Sequence, residues 1–333
     1  PESDFLTETI SGRQRGIKIG IIAVLVTLLF GVIMGMLSLW PMLDLVRYVQ
    51  KVGKGDLNHR LKLEYSTEFV KLSKEINAMT AGLRDRLRLR HSLALAKEVQ
   101  QNLLPSDTPR IEGLDIASHA TYCDETGGDY FDFLRIAGLP DTTVAIAVGD
   151  VVGHGVAAAM LMATARGTLR SRCQTPGTLA EMLIHLNNQL VDDTGGDRFM
   201  TMMLMTIDAQ RREVRWSTAG HDLPIVYDSA DDRFIKLSGN GMSLGLQKGN
   251  EYEEHLFTDV KPGQIYMALT DGIFEAFNKD GEMFGKDRVR DLIRNSADMS
   301  ADEIAKRINR ELARFLGGKS PVDDLTFVIT KVL

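Results

Sequence analysis

Four aspartates recur in one local setting along the second half of this 333-residue chain. Asp129 sits in TGGDYFDF, Asp150 in AVGDVVGHG, Asp271 in ALTDGIFEAF, and Asp323 beside Asp324 in SPVDDLTFVI. Each lies at the edge of a strand-forming run, and the first three have glycine close by. A single Asp after a strand is ordinarily a turn residue that bonds its own backbone. Four of them in one domain point to convergence on a shared task. Glycine allows close backbone approach and positive φ, so a carboxylate and a neighbouring carbonyl can face the same ion. An all-oxygen set selects hard cations such as magnesium or manganese, and no His/Cys spacing competes for zinc. Such a set points to a bound cation, which can neutralise charge on a reacting group and lower the pKa of a water. A GxxxxGK[ST] phosphate loop does not occur in the sequence.

These acids must be held by strands. TTVAIAVGD, RFMTMMLMTID, EVRWSTAGH, PIVYD, QIYMALTDG and LTFVITKVL are β-rich runs. Two helical stretches lie among them, Val156 to Ser171 and Leu179 to Val191. The second is opened by Thr178 with Glu181 three residues on, a capping-box spacing. Strands outnumbering helices predict an α+β domain built on antiparallel sheets.

The motifs GGDYFDF, GDVVGHGVAAAMLMA, STAGHDLP, LTDGIFEAFNKDGEMFG and DDLTFVI, in this order, resemble the SpoIIE/RsbU branch of the protein phosphatase 2C superfamily, the metal-dependent serine/threonine phosphatases. The resemblance covers residues 95–333. It implies two antiparallel sheets packed face to face and flanked by helices, with two divalent cations, Mn or Mg, at one end. It also implies that Asp150 bridges both ions, with the Val151 carbonyl completing one site. Asp129, Asp271 and Asp323 then supply the remaining ligands directly or through water, with Asp150 and Asp271 central to catalysis. Asp324 is the alternate for Asp323, because sequence does not say which of the pair points inward. His154 is read as a helix-entry packing residue rather than a general acid. His221 is read as a turn-stabilising or supporting residue, and Gly153, Gly155, Gly220 and Gly245 as turn formers.

The other end of the chain is of a different kind. Residues 19–40 carry no charge over 22 positions, which as a helix spans about 33 Å and is long enough to cross a hydrocarbon core of about 30 Å. Three Lys/Arg precede it and five follow within residues 41–62, a bias that puts the larger C-terminal part in the cytoplasm; the resemblance implies the cytoplasmic membrane of a bacterium. The chain begins at Pro1 without an initiator Met, so 1–18 is read as the end of an extracytoplasmic region. Cys123 and Cys173 fit a reducing compartment and are read as packing residues. Residues 41–110 carry a net charge of +5, which suits an anionic leaflet, and residues 111–333 carry −11. That acidity argues against nucleic acid as partner and against a nuclease. It also offers no obvious cationic groove for a short phosphopeptide.

After Pro41, apolar residues Met42, Leu45, Val49 and Val52, then Leu72, Ile76, Met79 and Leu83, step as a coiled-coil seam across a Gly55-Asp56-Leu57 connector. With Glu68 opening the second helix and Asn77 and Met79 near its end, the stretch resembles the HAMP signalling domain, which implies a parallel four-helix bundle in a homodimer. The expected division is a flank at 1–18, a transmembrane helix at 19–40, HAMP at 41–90, a linker helix at 91–110 that stops at Pro105, and the phosphatase at 111–333. Arg86 and Arg90 interrupt the seam before Leu93, Ala96, Val99 and Leu103 resume it, a phase change that predicts a bistable linker. The expected activity is hydrolysis of phosphoserine or phosphothreonine on a protein, by resemblance a STAS-type anti-anti-sigma regulator. The rival expectation is a pseudophosphatase that binds its partner without turnover, which intact acids at all four positions oppose.

Overall fold

The computed structural model describes residues 2–124 and 126–333, and the first residue of the expected N-terminal flank lies outside them. The chain divides into two units, residues 1–91 and 92–333.

In the first unit a single helix, α1 (Glu2–Gly53), runs without interruption through Pro41. The boundaries expected at 18/19 and 40/41 therefore do not appear as breaks. Proline removes one N–H from the helical ladder and its ring crowds the carbonyl four residues back, but helix-forming neighbours on both sides carry the chain past it. Part of α1 is long and apolar enough to cross a membrane. Gly55, at φ 93°, helps turn the chain away from the helix, and the connector returns to α2 (Thr67–Leu103). Leu61 and Leu63 of the connector are buried with Tyr48, against Leu45, Val52, Phe69 and Ile76. Asn77 fastens the connector by accepting from the Leu61 N–H at 2.9 Å and donating to the Leu61 carbonyl at 2.8 Å. Met42, Val49, Met79 and Leu83 are exposed in the single chain.

Helix α2 ends at Leu103, before Pro105, so residues 104–110 of the expected linker helix are not helical. The second unit then builds β1 (Leu114–Thr121), β2 (Tyr130–Leu134), β3 (Thr143–Val151), α3 (Val156–Arg172), α4 (Leu179–Thr194), β4 (Met200–Asp208), β5 (Glu213–Ala219) and β6 (Ile225–Asp228). It continues with β7 (Arg233–Ile235), β8 (His255–Phe257), β9 (Gln264–Leu269), α5 (Lys286–Arg294), α6 (Ala301–Leu316) and β10 (Leu325–Val332). One sheet has the order β1-β10-β9-β6-β7 and the other β2-β3-β4-β5-β8, with antiparallel pairing throughout the named strands.

Period-two alternation builds the layers. Val144, Ile146 and Val148 of β3 join Met203, Met205, Tyr266 and Val328 in a core between the sheets, while Ala145 and Ala147 of the same strand face α3 and α4. Met267 and Phe327 on the outer face of the other sheet are covered by α5 and α6 through Val289, Ile304 and Ile308. The result is two sheets face to face with helices outside each, as the α+β reading expects. Helix α4 carries the Thr178/Glu181 capping box.

The sequence reading placed only two helices in this domain, and α5 and α6 correct it. Helix α5, KDRVRDLIR, is so charged that its two buried positions, Val289 and Ile293, leave little periodic signal. Helix α6 did carry one, since Ser300 and Glu303 form a second capping box ahead of Ile304, Ile308 and Leu312.

Candidate active site

Sheet register sets the first part of the site. Strands β3 and β4 pair so that Asp150 lies opposite Thr201, at the end of β3 where the chain leaves the sheet for α3. Gly153 (φ 83°) and Gly155 (φ 82°) make that exit in a conformation that side-chain-bearing residues rarely adopt. Asp271 lies one residue beyond β9, after Thr270, and opens a short 3₁₀ turn. Asp323 and Asp324 immediately precede β10, which pairs with β9. Asp129 immediately precedes β2, the neighbour of β3.

Glycines let these segments close on one another. A Cβ on Gly128 would lie 2.7 Å from the Val151 carbonyl oxygen and 3.3 Å from Asp150 Oδ1. The Asp129 loop thus lies directly against the two groups expected to share an ion. On Gly127 a Cβ would lie 1.9 Å from Asp324 Oδ2, and on Gly272 it would lie 2.0 Å from the Asp324 carbonyl oxygen. No side chain fits at these places.

The two neighbouring acids of β10 have different jobs. Asp324 is buried and accepts from the Cys123 N–H at 2.9 Å, the Gly128 N–H at 2.8 Å and the Asp129 N–H at 3.4 Å. It braces the loop that carries Asp129. Asp323 is exposed and its charge is felt by both Asp150 and Asp271. The geometry therefore favours Asp323 over its alternate as the acid facing outward with Asp150 and Asp271.

Burial and mutual repulsion dominate the electrostatics. Burial first, then the charges of Asp271, Asp323 and Asp324, push the Asp150 carboxyl up to about 8. Asp129 is raised well above the ordinary carboxylate range by burial and then by Asp150. Asp271 is raised by burial and then by Asp323, and Asp323 by burial together with Asp324. The nearby Asp132 shows the contrast. It is fully buried yet receives Arg170 through two bonds of 2.6 and 2.7 Å. Among the described residues, no Lys or Arg forms an ion pair with Asp129, Asp150, Asp271 or Asp323. An uncompensated all-oxygen cluster of this kind fits hard divalent cations.

Supporting residues complete the frame. The Thr270 hydroxyl donates to Asp129 Oδ2 at 2.8 Å and receives the Thr326 N–H at 3.2 Å, so β9 and β10 jointly orient Asp129. His221 Nε2–H donates to the Leu269 carbonyl at 3.2 Å, and Nδ1 accepts from the Thr201 hydroxyl at 2.8 Å. Burial lowers its pKa to about 4, which keeps it a neutral crossbar between β4, the neighbour of the strand that carries Asp150, and β9, which leads to Asp271. Gln100 of α2 bonds both the N–H and the carbonyl of Gly127.

Two expectations change. His154 is not packed at the helix entry. Its ring is 65% exposed and its Nδ1 pairs with Asp124 at 2.6 Å, because Gly153 and Gly155 swing it outward. Cys123 is not a core residue either. It is half-buried, and its Sγ lies within 4.8 Å of carboxylate oxygens of Asp323 and Asp324. Burial, then Asp324, pushes its thiol up to about 12, so it remains a neutral thiol. Cys173 is buried as expected. Thr270 and Gln100 were not singled out from sequence. Thr270 had a weak signal in its place before Asp271, and Gln100 had none, reading as a solvated polar position on a charged helix.

The SpoIIE family profile (Stage II sporulation protein E) matches residues 140–333. The chain belongs to the SpoIIE family. Residues 140–333 are thereby a protein phosphatase 2C-type serine/threonine phosphatase domain. Among SpoIIE relatives, phosphoserine phosphatase RsbU of Bacillus subtilis is 26% identical over 243 residues, 73% of this chain and 70% of RsbU. Protein IcfG of Synechocystis is 25% identical over 327 residues, 86% of this chain, which spans only 50% of IcfG. The SiaA-PP2C domain of Pseudomonas aeruginosa superposes with a TM-score of 0.64 at 22% identity, over 75% of this chain and 98% of that one. The RsbU and RsbW domains of Rv1364c from Mycobacterium tuberculosis superpose with a TM-score of 0.55 at 27% identity, over 67% and 61%. The SpoIIE fold is thus the two-sheet architecture that positions the acids.

Proposed function

We propose that this SpoIIE-family chain is a membrane-anchored signalling phosphatase that removes phosphate from serine or threonine on a regulatory protein, with a STAS-type anti-anti-sigma protein as substrate. The observation that carries the reading is the placement of Asp129, Asp150, Asp271 and Asp323 at neighbouring strand ends, where the Asp129 loop lies against Asp150 and Val151 and the Asp271 turn against Asp323 and Asp324, with no cationic side-chain partner among the described residues. The name of the relative RsbU, a phosphoserine phosphatase, supports the substrate class.

In this reading Asp129, Asp150, Asp271, Asp323 and the Val151 carbonyl would hold two divalent cations, directly or through water. The bound cations supply Lewis-acid neutralisation of the phosphoryl oxygens and a nucleophilic water at neutral pH. The protein supplies position. Asp324 and Thr270 hold Asp129 in place, and His221 fixes the spacing of β4 and β9 without adding charge. Preorganised acids need no rearrangement during reaction, which is where such sites gain most.

The N-terminal unit is read as an anchor and relay at the cytoplasmic membrane of a bacterium, with the catalytic domain in the cytoplasm. The apolar part of α1 supports the anchor. The buried connector and the exposed stripe of Met42, Val49, Met79 and Leu83 support a HAMP-type unit that pairs with a second copy. Phosphate release from a phosphorylated STAS protein tests the whole. The full chain in detergent should turn it over with manganese or magnesium and not in chelator, and Asp150→Asn should lose nearly all activity while still folding. Robust turnover in chelator overturns the reading.

A further inference from the structure

We propose that a groove beside Asp271 receives the residues flanking the phosphoserine of the substrate, and that it selects acidic and apolar ones. This inference rests on the phosphatase reading above and deepens it. A cavity of about 590 Å³ opens at the β6–β7 end of its sheet, beside the start of α5. Its walls bracket the site, since Leu269 lies two residues before Asp271 and Phe274 three residues after it. His221, also in the wall beside Asp222, bonds the Leu269 carbonyl at 3.2 Å and so ties the groove to the strand end that leads to Asp271. Leu269 and Phe274 are within three residues of Asp271 in sequence, so a few residues of extended substrate chain, at about 3.3 Å each, span from the acid cluster to the groove.

The groove differs in charge from the domain around it. Residues 111–333 carry −11 overall, yet the lining holds Lys236, Lys286 and Arg290 against one lining acid, Asp222, with the exposed Asp287 pairing Arg290 at 3.0 Å from just outside it. The charge total that offered no cationic groove hides this local one. Lys286 is fixed at the mouth by Asp222 at 2.8 Å and by the Phe274 ring at 4.3 Å. Lys236 is exposed. The floor is apolar, with Leu223, Phe234 and Ile235 only partly covered. Cations around a half-buried apolar floor complement a segment in which carboxylates alternate with aliphatic side chains, because each exposed ion pair adds a little and the apolar contacts add area.

The test uses the full chain in detergent with manganese and two short phosphoserine peptides that differ only in carrying Glu and Leu, or Lys and Leu, around the phosphoserine. The wild-type protein should turn over the Glu peptide with a KM about five- to tenfold lower than the Lys peptide and a similar kcat, as expected for two or three exposed ion pairs. The variant K236E/R290E should reverse the preference, a gain on the Lys peptide that misfolding cannot produce. K236E alone should lie between the two. No flank preference in the wild type, or an unchanged preference in the double variant, overturns the groove assignment while turnover itself upholds the phosphatase reading. No turnover of either peptide or of p-nitrophenyl phosphate, with any divalent cation, overturns both. A change of oligomeric state in K236E/R290E without a change in preference marks the face as a contact between copies and overturns the proposal.

Discussion

The side-chain amide of Gln100 bonds both polar groups of the Gly127 peptide, donating to its carbonyl at 2.6 Å and accepting from its N–H at 3.2 Å. Gln100 is buried although it sits near the end of a long, charged helix. Gly127 in turn precedes two of the three residues whose N–H groups Asp324 holds. The last turns of α2 are therefore tied to the loop that presents Asp129. Replacing Gln100 by Ala leaves one donor and one acceptor unpaired, each costing about 1–3 kcal/mol when buried. The expected result is a rise of about tenfold or more in the manganese concentration for half-maximal phosphate release, read by metal titration. An unchanged titration curve would sever this helix from the site.

Asp323 and Asp324 should fail in opposite ways. Asp323→Asn removes a repelling charge beside Asp150 and Asp271, so the metal-free protein should melt higher while metal-dependent turnover falls at least a hundredfold. Asp324→Ala strips three backbone N–H groups of their acceptor and should cost about 2–4 kcal/mol of stability. Thermal melts and phosphate release on the same two variants separate the roles.

Stability of the metal-free domain should fall as pH rises. In the folded state Asp129, Asp150, Asp271 and Asp323 have pKa values above their ordinary range, with Asp150 at about 8. The folded state therefore binds more protons than the unfolded state between about pH 4 and pH 8, and stability is lost as pH climbs through that window. Melting followed by the buried Trp216 should drop by several degrees from pH 5 to pH 8, since about 1 kcal/mol is 2–4 °C for a domain of this size. Manganese should abolish most of the slope. A melting temperature that rose with pH in chelator would contradict the repulsion.

Gly272→Ala places a methyl group 2.0 Å from the Asp324 carbonyl oxygen. Backbone on both sides must shift, with a cost of about 1–3 kcal/mol and misplacement of Asp271. Gly167→Ala, on α3 with nothing within 4 Å of the added methyl, is the control and should be stabilising or neutral. Equal melting temperatures for the two variants would refute the close-approach argument.

Arg86 and Arg90 are exposed on α2, where the apolar seam loses its phase. Replacing both by Leu should extend one continuous seam and lock the output of the full chain either on or off, read as basal phosphatase activity and its response to signal. Wild-type behaviour of the double variant would place the switch elsewhere.

The sequence by itself determined the chemistry and most of the elements that carry it. Alternation in TTVAIAVGD and LTFVITKVL marks strands because side chains of period two must find a core on each face. Asp at the strand ends beside Gly marks a site because only glycine tolerates the crowding that convergence imposes. The highly charged α5 escaped notice, since a short helix with two buried positions leaves almost no periodicity. Tertiary structure alone decided which of Asp323 and Asp324 faces outward. Adjacent residues before a strand differ by about half a turn in direction, and only the Cys123 to Asp129 loop, nearly two hundred residues away in sequence, supplies the three N–H groups that claim one carboxylate. The same holds for Gln100, whose pairing with Gly127 is a contact between segments that no local pattern encodes, and for the cations around the groove. Charge totals along a chain carry no information about which face gathers Lys236, Lys286 and Arg290, because the fold, not the order of residues, brings β7 against α5.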